Sequence, residues 1–111
     1  MGKITNEEWD EIESDILINL LKKPHPIIGG KHTSCDNLIK GFPKHMRGKA
    51  KKVRDGLIKN KVFETKPTNY GDQRECWINP RKIKDIILNR PKIIEKSKYD
   101  PFLYERIRKY L

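Results

Sequence analysis

No apolar run in the chain approaches the roughly 20 residues needed to span a bilayer, so nothing in it reads as a membrane anchor. The opening residues are polar and acidic, unlike a secretory signal peptide. Cysteine is scarce. Cys35 and Cys76 are the only two, which excludes a disulfide-dense scaffold. They are expected to behave as small buried hydrophobes. Catalytic-triad and phosphate-loop signatures are absent; Gly29-Gly30-Lys31-His32-Thr33 lacks the leading glycine that a phosphate loop requires. There is no internal repeat. What remains, over 111 residues and 13.1 kDa, is one domain's worth of protein, expected to be cytoplasmic.

Acidic residues are the other scarcity, and their distribution matters more than their number. Lys and Arg total 25 against 15 Asp and Glu, a net charge of +10. Residues 1–15 hold six of the acids and a single cation, Lys3. Everything after them carries a net charge of +15. The densest basic stretch, 40–66, has ten cations opposed only by Asp55 and Glu64. Heat adaptation alone would enrich Glu as well as Lys, so it does not account for the imbalance. A polyanion is the expected partner, and nucleoid association the expected location.

The hydrophobic pattern yields a series of short elements. A first helix is expected over 5–23, with Thr5 and Glu8 at capping-box spacing and Trp9, Ile12, Ile16, Leu17, Leu20 and Leu21 on one stripe. The early acids suit the positive end of its dipole, and Pro24 stops it. Ile27-Ile28 could form a very short strand. A short second helix is expected over about 34–40, capped by Thr33 or Ser34, with a tight turn at Gly41-Phe42-Pro43 and Phe42 plugging the core. The third helix, 44–60, turns Met46, Ala50, Val53 and Leu57 inward. Its outer face centres on Lys44, Gly48, Lys51, Asp55 and Lys59, flanked by Arg47 and Lys52. Asn60 is the expected left-handed cap. Strands follow at 62–65 and 74–78 around a turn-rich loop, 66–73. Asn79 and Pro80 open a fourth helix, which ends at 89–91. Residues 91–100 read as a mobile linker, and 101–111 as a last, separate helix.

This order of elements resembles the winged helix-turn-helix superfamily of DNA-binding proteins. The junction Leu57-Ile58-Lys59-Asn60-Lys61-Val62-Phe63-Glu64 is similar to its helix-to-wing connection, and the resemblance covers about residues 5–89. The segments 29–34 (GGKHTS), 41–48 (GFPKHMRG) and 66–73 (KPTNYGDQ) also resemble a group of short archaeal winged-helix proteins of unassigned role. The implied fold is α+β, mainly α: a winged helix-turn-helix with a two-stranded wing and an extra C-terminal helix. The implied function is DNA binding in transcription regulation, with helix 44–60 in the major groove and wing 66–74 on the adjacent backbone. The expected contacts are Lys44, His45, Arg47, Gly48, Lys51, Lys52, Lys66, Tyr70 and Arg74. Arg47 can chelate guanine, while lysines act mainly on phosphates. A glycine at 48 costs the helix roughly 1 kcal/mol, which a close backbone approach to DNA would justify.

Other readings compete. An RNA- or ribosome-associated role shares the same fold and charge. Asp55 with Glu64-Thr65-Lys66 resembles the D…E-x-K metal site of some nucleases, although Asp55 lies within a helix. His25, His32, Cys35, His45 and Cys76 are candidate metal ligands, with His32-x-x-Cys35 at workable spacing. The expectation is a non-enzyme without metal or other cofactor. The last helix carries Phe102, Leu103, Ile107, Tyr110 and Leu111, apolar enough to suggest either a homodimer contact or a fold-back beside Trp9 and the first helix.

Overall fold

The computed structural model describes residues 3–69, 71 and 73–111. Helix α1 spans Asn6–Leu21. Its start is the expected capping box: the Thr5 hydroxyl accepts from the Glu8 N–H at 3.0 Å, and the Thr5 N–H donates to Glu8 Oε1 at 3.3 Å. Ile12, Ile16, Leu17, Leu20 and Leu21 are all buried.

The expected second helix is reduced to a 3₁₀ turn, Cys35–Leu38, preceded by a two-residue strand β1, Thr33–Ser34. Local side-chain bonds explain the difference. Ser34 Oγ accepts from the Asp36 N–H, and Asn37 Nδ2 donates to Thr33 Oγ1, so these residues favour a turn over a continuing helix. A second 3₁₀ turn, Lys44–Met46, leads into α2, Arg47–Lys59. Ala50, Val53 and Leu57 are buried, and Met46 packs against the core. The left-handed residue after α2 is Lys61, at φ 63°, and not Asn60, at φ −86°.

Strands β2 (Phe63–Pro67) and β3 (Arg74–Ile78) pair antiparallel, and β1 joins the other edge of β3, giving the order β1-β3-β2. Strand β2 thus runs two residues beyond the expected end, so Lys66 lies in the strand and not in the loop. The Ile27-Ile28 segment makes a single parallel bridge to Ile78. Strand alternation turns Phe63, Cys76 and Ile78 into the core and Glu64, Lys66, Glu75 and Trp77 outward. Cys35 and Cys76 are buried as expected, but they are joined in a disulfide and are not free thiols. The bond ties the 3₁₀ turn before α2 to the central strand.

Asn79 caps only a turn, its Oδ1 accepting from the Arg81 N–H; helix α3 begins later, at Ile83–Leu88. The expected linker is instead helix α4, Pro91–Ser97. Ile93 is fully buried, and Lys92 and Lys96 reach back to α1, so the segment is fixed by tertiary contacts that its polar composition conceals. Asp100 caps α5, Pro101–Arg108, accepting from the Leu103 N–H at 3.1 Å. Leu103 and Ile107 are 1% exposed and belong to the main core. The helix is therefore a fold-back onto α1 and α4 and not a separate unit. Lys22 holds Asp100 at 2.6 Å, and Arg106 donates to the Pro24 carbonyl. Trp9 lies elsewhere, against Gly56 of α2. No helix among the described residues is long and apolar enough to cross a membrane.

Candidate nucleic-acid interface

Successive residues turn about 100° around a helix, so the three sides of α2 can be assigned from its contacts. One side, through Lys49 and Gly56, meets α1. The opposite side, through Arg54, meets the 3₁₀ turn at Cys35. The core takes Ala50, Val53 and Leu57. What remains faces outward: Lys44, His45, Arg47, Gly48, Lys51, Lys52, Asp55 and Lys59 are all exposed. None of Lys44, Lys51, Lys52 and Lys59 forms an ion pair with a described residue.

Two arginines on this helix are committed to the protein itself. Arg47 turns back over the preceding turn, donating from Nε to the Phe42 carbonyl at 3.3 Å and from Nη2 to the Lys40 carbonyl at 3.5 Å. Arg54 is buried; its Nη1 donates to the Cys35 carbonyl at 3.2 Å, and its Nε and Nη2 hold Asp55 Oδ1 at 3.0 Å each. The negative charge of Asp55 on the outer face is thereby balanced. No local signal marks this role for Arg54, which reads in the sequence as one more surface cation.

The hairpin β2–β3 divides its cations between two faces. Arg74 shares the inner side with Thr65, to whose hydroxyl it donates at 2.9 Å, and with Gln73 it lines an open cleft against Arg54, Asp55 and Ile58 of α2. Lys66 points the other way, toward Glu75 at 3.7 Å. The geometry thus brings Arg74 next to α2 and leaves Lys66 on the far face of the sheet. At the loop, Thr68 Oγ1 and the Thr68 N–H both donate to the Gln73 carbonyl, and Gly71 adopts φ 68°. Tyr70 lies outside the described residues.

Four of the acids of α1 are paired with cations from other elements, while Glu7 and Asp10 stay exposed. Glu8 pairs with Lys49 at 2.6 Å, Glu11 with Lys92 and Lys96, Glu13 with Arg90, and Asp15 with Lys96. The hydrogen bond from Lys49 holds the Glu8 carboxyl below its ordinary range, and that from Lys96 does the same for Glu11. Burial pushes Lys96 down, but its bonds to Glu11 and Asp15 outweigh that and leave it raised. The sequence places these acids only at a helix start; their partners are visible only once α2 packs on α1 and the segment with Arg90 and α4 folds back.

Of the candidate metal ligands, Cys35 and Cys76 are joined to each other and His32 is engaged by neighbouring side chains. His32 stacks on Trp77 with ring centroids 4.0 Å apart and lies 3.1 Å from Glu75 Oε2. Trp77 donates to Glu64 Oε1 at 2.9 Å on the outer face of the sheet. Asp55 lines the cleft shared with Arg74 on the inner side, so the sheet separates Asp55 from Glu64. Among the described residues, no three His, Cys, Asp or Glu side chains gather as metal ligands. Compared with known proteins, the chain matches no family model, no curated protein and no solved structure.

Proposed function

We propose that the protein binds double-helical DNA as a winged helix-turn-helix domain, with α2 as the groove-facing helix and the β2–β3 hairpin as the wing. The observation that carries this reading is the segregation of charge around α2. Its apolar stripe is spent on the core and its lateral residues on α1 and the 3₁₀ turn. Lys44, Lys51, Lys52 and Lys59 are left outward without acidic partners among the described residues. Four of the acids of α1, Glu8, Glu11, Glu13 and Asp15, are taken by Lys49, Arg90, Lys92 and Lys96. A cationic helix face held rigidly on a packed core is what engages a phosphate backbone. The antiparallel order β1-β3-β2, with α2 leading directly into the hairpin, supports the winged-helix reading.

The contacts proposed for this surface are Lys44, His45, Gly48, Lys51, Lys52, Lys59 and Arg74. Lys66, on the opposite face of the sheet, is a peripheral contact at most. The proposed activity is binding; Asp55 is tied to Arg54 and Glu64 to Trp77, so the two carboxylates do not share a site. The test is titration of duplex DNA, single strands and structured RNA at one salt concentration, with the double variant Lys51→Glu/Lys52→Glu. Tightest binding to duplex DNA is expected, weakened at least about tenfold by the double charge reversal. As a control, Lys98→Glu/Lys109→Glu reverses exposed cations of the C-terminal helices and is expected to do much less. Equal losses from the two double variants would contradict the assignment to α2; tighter binding to structured RNA would favour an RNA role.

A further inference from the structure

Base sequence is read in the major groove by side chains that match donor and acceptor patterns: arginine on guanine, asparagine or glutamine on adenine, a carboxylate on cytosine. Residues 44–59 contain no Asn, Gln, Ser or Thr. The arginine best placed to read guanine, Arg47, donates to the carbonyls of Phe42 and Lys40 and so closes the turn that leads into the helix. The second, Arg54, is buried under the Cys35 carbonyl. The sole acid of the segment, Asp55, is held by two donors of Arg54. Beside the His45 imidazole, the groups of this segment left facing outward are lysine ammonium groups, compact charges on flexible stems that suit phosphates and discriminate bases poorly. Asn69 and Gln73, on the hairpin loop, would meet a minor groove whose pattern distinguishes little beyond A·T from G·C.

From this set of committed and uncommitted side chains we infer that the protein recognises the double helix through its phosphate backbone, without base preference. The inference rests on the DNA-binding reading above and narrows it: the partner is duplex DNA in general, and the role is to coat or shape it, not to select an operator. Arg47 acts here as a positioning residue, fixing the approach of α2.

The experiment uses the full chain in two arms at one salt concentration: affinity for four unrelated mixed-sequence duplexes, and rounds of selection from a randomised duplex pool. Affinities are expected to agree within about threefold, and the selected pool to carry no motif. Arg47→Lys is expected to change all four affinities by one common factor. A preference of about tenfold or more for one duplex, or an enriched motif, overturns the inference while leaving DNA binding intact. Loss of that preference in Arg47→Lys would then show that Arg47 leaves its carbonyls to read guanine. Failure to bind any duplex overturns the DNA-binding reading itself, and the inference falls with it. The selection arm on the natural chain decides the matter even if Arg47→Lys folds poorly.

Discussion

Gly56 illustrates how a single residue can be constrained by a partner far away in the chain. A Cβ built there would lie 2.7 Å from Cζ2 of Trp9, inside contact distance of a large, half-buried ring. Alanine at a helical position normally gains about 1 kcal/mol over glycine. Here overpacking wins, and Gly56→Ala is expected to destabilise by about 1–3 kcal/mol, measured by urea unfolding. An increase in stability would show that α1 can shift to make room. Arg54 is the second case. Its replacement by leucine leaves the Cys35 carbonyl without its donor and frees Asp55 on the cationic face. A cost of about 1–3 kcal/mol is expected, with weaker DNA binding at the same time. Neither role is legible in the sequence, because each depends on a partner brought from another element. By contrast the Thr5–Glu8 capping box is legible, since both partners lie within one turn.

At the scale of elements, α1, α2 and the hairpin follow from periodicity, caps and turn residues, all of which are local. The short second helix and α4 do not. The first loses to side-chain bonds at Ser34 and Asn37 and to pairing with β3. The second is stabilised by Lys92 and Lys96 reaching Glu11 and Asp15, about eighty residues earlier in the chain, and by burial of Ile93. These pairs carry a pH dependence. Glu8 and Glu11 are depressed below their ordinary 4.5, and Asp100 is depressed below 3.8 by its hydrogen bond from Lys22. Their stabilisation is therefore fully present above those ordinary values and is lost as pH falls below them and through the depressed folded-state values. Lys96 is raised above 10.5, so its share is fully present below that pH and is lost as pH climbs beyond it through the raised folded-state value. The melting temperature is expected to be nearly flat between these limits and to fall at acid pH. Glu11→Gln should show a smaller acid-side fall. An identical acid limb would remove Glu11 from the account. The disulfide is the strongest of the long-range ties. It joins residues separated by 41 positions, and the chain-entropy model gives it about 4 kcal/mol. Reduction is expected to lower the urea midpoint accordingly without unfolding the chain at room temperature.

For the whole molecule, the C-terminal region changes the picture most. An apolar helix after a polar stretch suggests an appendage, yet Leu103 and Ile107 complete the same core as α1 and α2. Deletion after Asp100 should therefore cost about 3–6 kcal/mol, the burial of two large aliphatic side chains. A truncated chain that melts like the full one would contradict this. The C-terminal region also supplies Arg90, Lys92 and Lys96, which occupy Glu11, Glu13 and Asp15 of α1, so the charge balance of α1 depends on the fold being closed. Not all of the basic stretch 40–66 is available to a partner: Lys49 is paired with Glu8, and Arg54 is buried. The sequence total alone suggests six to eight phosphate contacts; the structure leaves about four to six. The most direct measurement of the central claim is the salt dependence of duplex DNA binding by the full chain. The logarithm of the association constant is expected to fall linearly with the logarithm of salt concentration, with a slope of about −4 to −5, flattened by about 2 in Lys51→Ala/Lys52→Ala. A slope near zero, or one unchanged in the double variant, would contradict a phosphate-binding role for α2.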